Sequence, residues 1–179
     1  MMHPFYFVYV LFGVLLVAFL WKWPSRRHGR QREKARRLHT RLLSGELSGA
    51  AAIAYLRKID PYVFEELVLD GFEANGFKVT RNRRYSGDGG IDGHVSFDGE
   101  DYLVQCKRYK AYIQVRHVEE FAELCTRRSQ EGFFVHTGRT GPGAKDARSG
   151  LVEVVSGDRL LALLSSKKNP SVVIKQSNL

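Results

Sequence analysis

The sequence predicts an α/β fold, a mixed sheet flanked by helices and preceded by one N-terminal transmembrane helix. Three observations lead to this prediction. An almost wholly apolar run, Phe5–Trp21, lies near the N-terminus. A β-hairpin pattern covers residues 91–109, and helical and strand-like segments alternate after it. The length of 179 residues suits one domain of ordinary size plus an appendage.

Residues 1–23 are predicted to form a membrane anchor. At about 1.5 Å per residue, Phe5–Trp21 just reaches the lower end of membrane-spanning length. Aromatic side chains of the interfacial type stand towards its two ends: Tyr6, Tyr9, Trp21 and Trp23. A cleavable signal peptide fits less well, because no basic residue precedes the run and no small-x-small cleavage site follows. A buried core helix is the third interpretation, but it would need a partner that the rest of the chain hardly offers.

Basic residues follow the apolar run directly. Lys22–Lys58 contains eleven Lys and Arg against Glu33 and Glu46, a net of +9 that equals the whole chain's net charge, so the remainder is neutral. The positive-inside rule then predicts a single-pass protein of the inner (cytoplasmic) membrane, with its N-terminus outside and its folded domain in the cytoplasm. Residues 24–59 are interpreted as a basic juxtamembrane and helical linker that attracts anionic lipid. A nucleic-acid-binding arm is the alternative.

The elements before the hairpin are helices and one strand. Leu38–Ile59 has a helical pattern interrupted by Ser-Gly pairs, which predicts two short helices. Asp60-Pro61 predicts a helix start and Asn75-Gly76 its end. Phe77–Arg84 predicts the first strand. The apolar stripe of the helix between these signals consists of Phe64, Leu67, Val68 and Phe72.

The hairpin consists of strands Ile91–Phe97 and Tyr102–Tyr109 around Asp98-Gly99, the favoured dipeptide for a type I′ turn. With that turn, the residue numbers of opposed pairs sum to 197, the sum of 98 and 99. Asp92 is therefore expected opposite Gln105. Lys107 shares the face of Gln105, because side chains repeat with period two.

The remaining elements alternate between helix and strand. They are a helix at Gln114–Arg128 with Val115 and Val118 among its inward residues, a strand at Gly132–Thr137, a short helix at 144–149, a strand at Leu151–Val155 and a helix at Asp158–Leu164. Residues 166–179 are expected to be a polar tail. Cys106 and Cys125 lack metal-ligand spacing and are expected to be reduced core residues.

A carboxylate, an amide oxygen and an ammonium that converge on adjacent strands suit a metal-dependent phosphodiesterase. The carboxylate at Asp92 can hold a hard cation through oxygen. The ammonium of Lys107 can offset charge that develops on phosphate, or orient a water.

The motif G-x-G-G-I-D-G, followed by Q-C-K-R-Y, resembles the catalytic core of Mrr-type restriction endonucleases. That branch of the PD-(D/E)xK nuclease superfamily has glutamine in place of the acid before x-Lys. The resemblance runs from about Pro61 to about Leu164, so residues 60–165 are expected to be the nuclease domain, with the restriction-endonuclease fold. It implies DNA as substrate and Mg²⁺ or Mn²⁺ as cofactor.

The resemblance also assigns roles to residues. Metal ligands would be Asp92, Gln105, the backbone carbonyl of Cys106, and Glu65 from the Phe64-Glu65 pair, with Glu66 the less favoured alternative. Lys107 would complete the catalytic set of Asp92, Gln105, Lys107 and Glu65. Basic residues near this set are expected to contact nucleic acid: Arg83, Arg84, Arg108 and Lys110.

The sequence thus predicts a membrane-anchored, Mg²⁺-dependent DNA endonuclease, able to form a homodimer and without a small-molecule substrate. A DNA-tethering module that keeps the fold but has lost the chemistry is the alternative. A nuclease for RNA or branched DNA is a third possibility that the sequence leaves open.

Overall fold

The computed structural model describes residues 29–82, 90–141, 143 and 150–173. Within these ranges, no helix combines the length and the apolar character needed to cross a membrane. The anchor expected at residues 1–23 lies outside the described residues, as do Arg83, Arg84 and the short helix expected at 144–149.

The described residues form a mixed five-stranded sheet with the strand order β1-β2-β3-β4-β5. The strands are β1 (Lys78–Arg81), β2 (Gly93–Phe97), β3 (Glu100–Lys107), β4 (Glu131–His136) and β5 (Val152–Val155). The first three pair antiparallel, and β3, β4 and β5 pair parallel. The predicted mixed α/β fold is confirmed.

The hairpin β2–β3 has the predicted register. Its pairs run from Gly93–Val104 to Phe97–Glu100, and the residue numbers of each pair sum to 197. Both turn residues have left-handed backbones, with φ 51° at Asp98 and 84° at Gly99. That is the geometry of a type I′ turn, whose twist matches that of the paired strands.

The helices in the described ranges are α1 (29–43), α2 (Gly49–Leu56), α3 (Pro61–Ala74), α4 (Val115–Arg128) and α5 (Gly157–Ser165). The predicted ends of α3 are confirmed. The Asp60 side chain accepts a 2.9 Å hydrogen bond from the Tyr62 N–H at its start. At its end come Asn75 and then Gly76, with φ 97°.

The core lies in two layers, one on each face of the sheet. The larger layer joins α1, α2, α3 and α5 to the sheet and includes Phe64, Phe72 and Val104. The smaller layer packs Phe121 of α4 against Phe134 of β4. The prediction that Val115 points inward is wrong: it is 37% exposed, because α4 contacts the sheet only from Val118 onward.

The packed domain extends beyond the 60–165 limits expected from the sequence. On the N-terminal side, α1 and α2 contribute fully buried Ala35, Ala52 and Leu56 to the larger layer. Beyond residue 165, a 3₁₀ turn at Pro170–Val172 precedes Val173, which is also fully buried. These flanking residues cover the outer side of α3 and α5, which the sheet alone leaves open.

Candidate active site

Asp92 lies immediately before β2 and is fixed by two hydrogen bonds to β3. Its N–H donates to the Val104 carbonyl at 2.8 Å, and its Oδ2 accepts from the Cys106 N–H at 2.6 Å. Asp92 and Gly93 therefore both lie against Val104, and the ladder slips by one residue at this point. The predicted direct pair of Asp92 with Gln105 does not form, because the Asp92 carboxylate bonds the neighbouring Cys106 backbone instead.

Close packing of α3 against the start of β2 brings Glu65 to Asp92. A Cβ atom at Gly93 would lie 2.7 Å from the Leu69 Cδ2 atom, so a larger residue there would have to displace the Leu69 side chain. Glu65 precedes Leu69 by four residues and shares its helix face. The same helix face that packs on Gly93 thus presents the Glu65 carboxyl to Asp92, and both residues line one cleft.

The two carboxyls and Lys107 interact electrostatically. Burial, and then the charges of Asp92, Glu66 and Asp60, raise the pKa of Glu65 to about 8 against the opposing effect of Lys107. Burial also raises the pKa of Asp92 to about 6, against the opposing effects of the Cys106 N–H bond and Lys107. The structure therefore brings together Asp92, Glu65 and Lys107, three of the four predicted catalytic residues, within electrostatic range of one another.

Gln105, the fourth, is buried and held by the glycine-rich segment before Asp92. Its Nε2 donates to the Gly90 carbonyl at 2.8 Å. Gly90 has φ 87°, and a Cβ atom there would lie 2.6 Å from the Gln105 Nε2. Because the amide nitrogen is committed to Gly90, the Gln105 Oε1 is the atom that can face a metal. Sequence reasoning missed this contact.

The backbone of Lys107 is fixed by β4. Lys107 pairs with His136, and its carbonyl accepts from the Thr137 N–H at 3.3 Å. His136 is fully buried, its Nδ1 accepts from the Gly138 N–H at 3.1 Å, and burial lowers its pKa to about 4. A neutral, buried histidine in this position supports the strand end that carries Lys107. Sequence reasoning did not single out His136, although its place in an apolar strand was an available signal.

A buried ion-pair cluster holds α3 to β1 beside the cleft. The Arg81 guanidinium bonds Glu66 at 3.2 Å, Asp70 at 2.6 Å and Glu73 at 3.0 Å. Glu66 is thereby committed to Arg81, whereas Glu65 forms no ion pair with another described residue. This geometry favours Glu65 over Glu66 as the acid of the site. Sequence reasoning missed this cluster.

The donors suit a hard cation bound through oxygen, although the acidic part of the site is small. Among the described residues, no group of three or more His, Cys, Asp and Glu side chains could hold a metal ion. Burial raises the pKa of both carboxyls, Asp92 and Glu65, and like charge adds to the effect at Glu65, so a divalent cation would offset both causes. Neutral oxygens, the Gln105 Oε1 and the Cys106 carbonyl, would have to complete the shell. The buried Cys106 thiol has a pKa well above its ordinary value and is not a suitable ligand.

The residues predicted to contact nucleic acid differ in their surroundings. Lys110 is exposed. Arg108 is half-buried, and its Nη1 donates to the Arg57 carbonyl at 3.1 Å, so part of its guanidinium is used within the fold. Arg83 and Arg84 lie outside the described residues. The DNA-binding role of all four stays a prediction.

Known proteins resemble this chain at the level of the family. A family model described as restriction endonuclease, Mrr_cat, matches residues 56–164. A solved structure of the restriction endonuclease FokI is similar at a TM-score of 0.45 and 16% identity, over 62% of this chain and 26% of that one. The chain thus spans about a quarter of the length of that structure. No curated protein matches the chain.

Proposed function

The chain belongs to the restriction endonuclease family whose model matches its residues 56–164, and from this membership we propose that it cleaves DNA at one site formed by Asp92, Glu65, Gln105 and Lys107. Its enzyme class is endodeoxyribonuclease. The observation that carries the proposal is that Asp92 and Glu65 line one partly buried cleft, with Lys107 in electrostatic range of both. A fold that only binds DNA has no need to keep two carboxyls with raised pKa values beside a lysine.

Asp92, Glu65, the Gln105 Oε1 and the Cys106 carbonyl would hold Mg²⁺ or Mn²⁺. Such an ion acts as a Lewis acid on a phosphoryl oxygen and lowers the pKa of bound water. Lys107 donates hydrogen bonds to the phosphate oxygen on which negative charge accumulates in the transition state. The Cys106 N–H keeps the Asp92 carboxylate oriented through the reaction, because the bond is part of the β3 backbone.

A plasmid-cleavage assay tests this proposal. The full chain should nick or linearise supercoiled DNA with Mg²⁺ or Mn²⁺, and not in EDTA. Lys107→Ala should lower turnover by about 10²–10³-fold, the usual cost of losing one transition-state donor. Lys78→Ala is the matched control, since Lys78 is an exposed lysine on β1 to which the site assigns no role. Equal DNA binding by wild type and variant, with cleavage by neither under any divalent metal, would favour the tethering module.

We further propose that residues 1–23 anchor this nuclease in the inner membrane with the catalytic domain in the cytoplasm. The apolar run Phe5–Trp21 and the basic residues that follow it support this proposal. The protein should stay in the membrane fraction through a carbonate wash, and a C-terminal reporter should be cytoplasmic. Release by high salt alone would show that basic residues, and not an inserted helix, hold it. Homodimer formation is likewise proposed, with cross-linking at varied concentration as its test.

A further inference from the structure

A basic groove lies between α1, α2 and the start of α3. It has a volume of about 310 Å³, and its charged and aromatic lining includes Lys34, Arg37, Arg41, Tyr55 and Asp60. Three cations against one carboxylate give this lining a net charge of +2. The Arg41 guanidinium lies over the Tyr55 ring at 6.0 Å, a cation–π contact that holds it on the groove wall.

We propose that this groove binds the phosphate backbone of the DNA duplex that the active site cleaves. The inference rests on the proposed nuclease function and adds a binding surface to it. Electrostatic attraction to phosphate supplies most non-specific DNA affinity. The chain outside Lys22–Lys58 is neutral, because that segment carries a net +9 and the whole chain also carries +9. Three of the eight described Lys and Arg residues of that segment line the groove.

The spacing of the groove cations matches a DNA strand. Lys34, Arg37 and Arg41 follow one another at three and four residues and therefore share one face of α1. From Lys34 to Arg41 the helix rises about 10 Å, and one DNA strand carries a phosphate for each ~3.4 Å of duplex axis. The three cations thus extend along about three phosphates.

These cations are available to a ligand. Arg37 and Arg41 pair with Glu33 and Glu46 in the protein, but their side chains are 77% and 43% exposed. Exposed ion pairs of this kind contribute only about 0–1 kcal/mol, so phosphate can replace their carboxylate partners at little cost. Lys34 is exposed and pairs with no other described residue.

The position of the groove favours DNA over a membrane surface as its ligand. Asp60 lines the groove, caps α3 and contributes to the raised pKa of Glu65 in the catalytic cleft. Val63 lines the groove and Glu65 lines the cleft, so the groove and the cleft flank the first turns of α3. A helix is about 10–12 Å across, or roughly three base-pair steps of duplex. A duplex can span both surfaces, whereas a bilayer docked here would crowd the cleft.

The test compares the salt dependence of DNA binding between matched charge-removal variants. The full chain, in neutral detergent and EDTA, is titrated with a short labelled duplex by fluorescence anisotropy across about 50–200 mM salt. Lys34→Gln with Arg37→Gln should reduce the magnitude of the slope of log K against log salt by about 2, roughly one per phosphate contact removed. Lys34→Arg with Arg37→Lys keeps both charges and should keep the wild-type slope.

Arg127→Gln with Arg128→Gln on α4 is the control. It removes the same charge, and Arg127 also forms an exposed i,i+4 pair, with Glu123. This control should leave the slope unchanged, and equal slopes for the groove pair and the control pair overturn the proposal. A groove variant that binds DNA normally but loses its preference for phosphatidylglycerol over phosphatidylcholine vesicles also overturns the proposal, because the ligand is then a lipid surface.

Plasmid cleavage by wild type separates the groove proposal from the nuclease proposal. If wild type cleaves and the groove variant keeps the wild-type salt slope, only the groove proposal is rejected. If the groove variant has a shallower slope and wild type does not cleave, the groove proposal is supported and only the nuclease proposal is rejected.

Discussion

Metal binding at this site should be coupled to the release of a proton from Glu65. Burial and neighbouring carboxylates raise the pKa of Glu65 from 4.5 to about 8. A carboxyl must lose its proton to ligate a divalent cation, so cation and proton compete for it below that pH. Mg²⁺ affinity should therefore rise by about tenfold per pH unit well below pH 8, by roughly 16-fold between about pH 6.5 and pH 8, and level off above. Below about pH 6 a second proton, on Asp92, steepens the dependence.

The same pKa change fixes the sign of a stability effect in the metal-free protein. A carboxyl whose folded pKa is raised favours the folded state at low pH, and this contribution is lost as pH rises from 4.5 through about 8. At ~1.4 kcal/mol per pH unit the full effect is roughly 5 kcal/mol. Partial exposure of Glu65 allows solvent screening, so we expect roughly 2–3 kcal/mol. Glu65→Gln should therefore stabilise the metal-free protein at pH values above 8 more than at acidic pH.

Calorimetric titration with Mg²⁺ in buffers of different ionisation enthalpy measures both affinity and protons released. Wild type should release close to one proton per bound ion near neutral pH. Glu65→Gln should bind more weakly and lose the pH dependence above about pH 6.5. Glu119→Gln, an exposed carboxyl on α4, is the control and should behave as wild type. A wild-type affinity that is constant across this range, or an unchanged slope in Glu65→Gln, would refute the reasoning.

Three further predictions concern the residues that hold the site. Gly90→Ala would place a Cβ atom 2.6 Å from the Gln105 Nε2 at a backbone with φ 87°, and it should weaken metal binding by about 10–100-fold. Gly150→Ala is the control, because Gly150 has no neighbour within 4 Å. Equal metal affinities of the two variants would contradict the proposed role of Gln105. Gln105→Glu would set a carboxylate against the Gly90 carbonyl, so urea unfolding in EDTA should show a free energy of unfolding lower by about 1–3 kcal/mol. Mg²⁺ should reduce this loss of stability. A loss that does not depend on Mg²⁺ would place residue 105 outside the metal site. Arg81→Met would remove the guanidinium that pairs with buried Glu66 and Asp70, and it should cost about 3–5 kcal/mol near neutral pH. Lys78→Met on the exposed part of β1 should unfold as wild type does, and a similar cost for both variants would argue against the buried ion pairs.

The local features of the fold were readable from the sequence because each depends on neighbouring residues. Asp60-Pro61 satisfies and pre-shapes the first turn of α3, and Asn75-Gly76 ends it. Asp98-Gly99 can take two consecutive left-handed backbones, which fixes the register of the hairpin over all its paired residues. Register and alternation then place Gln105 and Lys107 on the same strand end. Short-range backbone preferences therefore determined most of the catalytic motif.

Departures from these expectations arise where two distant segments pack. The predicted register, in which opposed residue numbers sum to 197, fails at Asp92. Its carboxylate bonds the Cys106 N–H, a contact that no turn preference encodes. Val115 has an apolar side chain at a helical position, yet it is exposed because α4 meets the sheet one turn later. Periodicity identifies the face of a helix and leaves open where along its length contact begins.

By itself the sequence determined the mixed α/β fold, the hairpin and the residue types of the site. Only the tertiary structure decided that Glu65, and not Glu66, faces Asp92: Leu69 packs on Gly93 and sets the rotation of α3, while Arg81 takes up Glu66. It also decided that Gly90 holds Gln105, and that α1, α2 and Val173 belong to the core. The physical reason is that burial and charge coupling depend on which surfaces meet across the chain, whereas backbone preferences act over only a few residues.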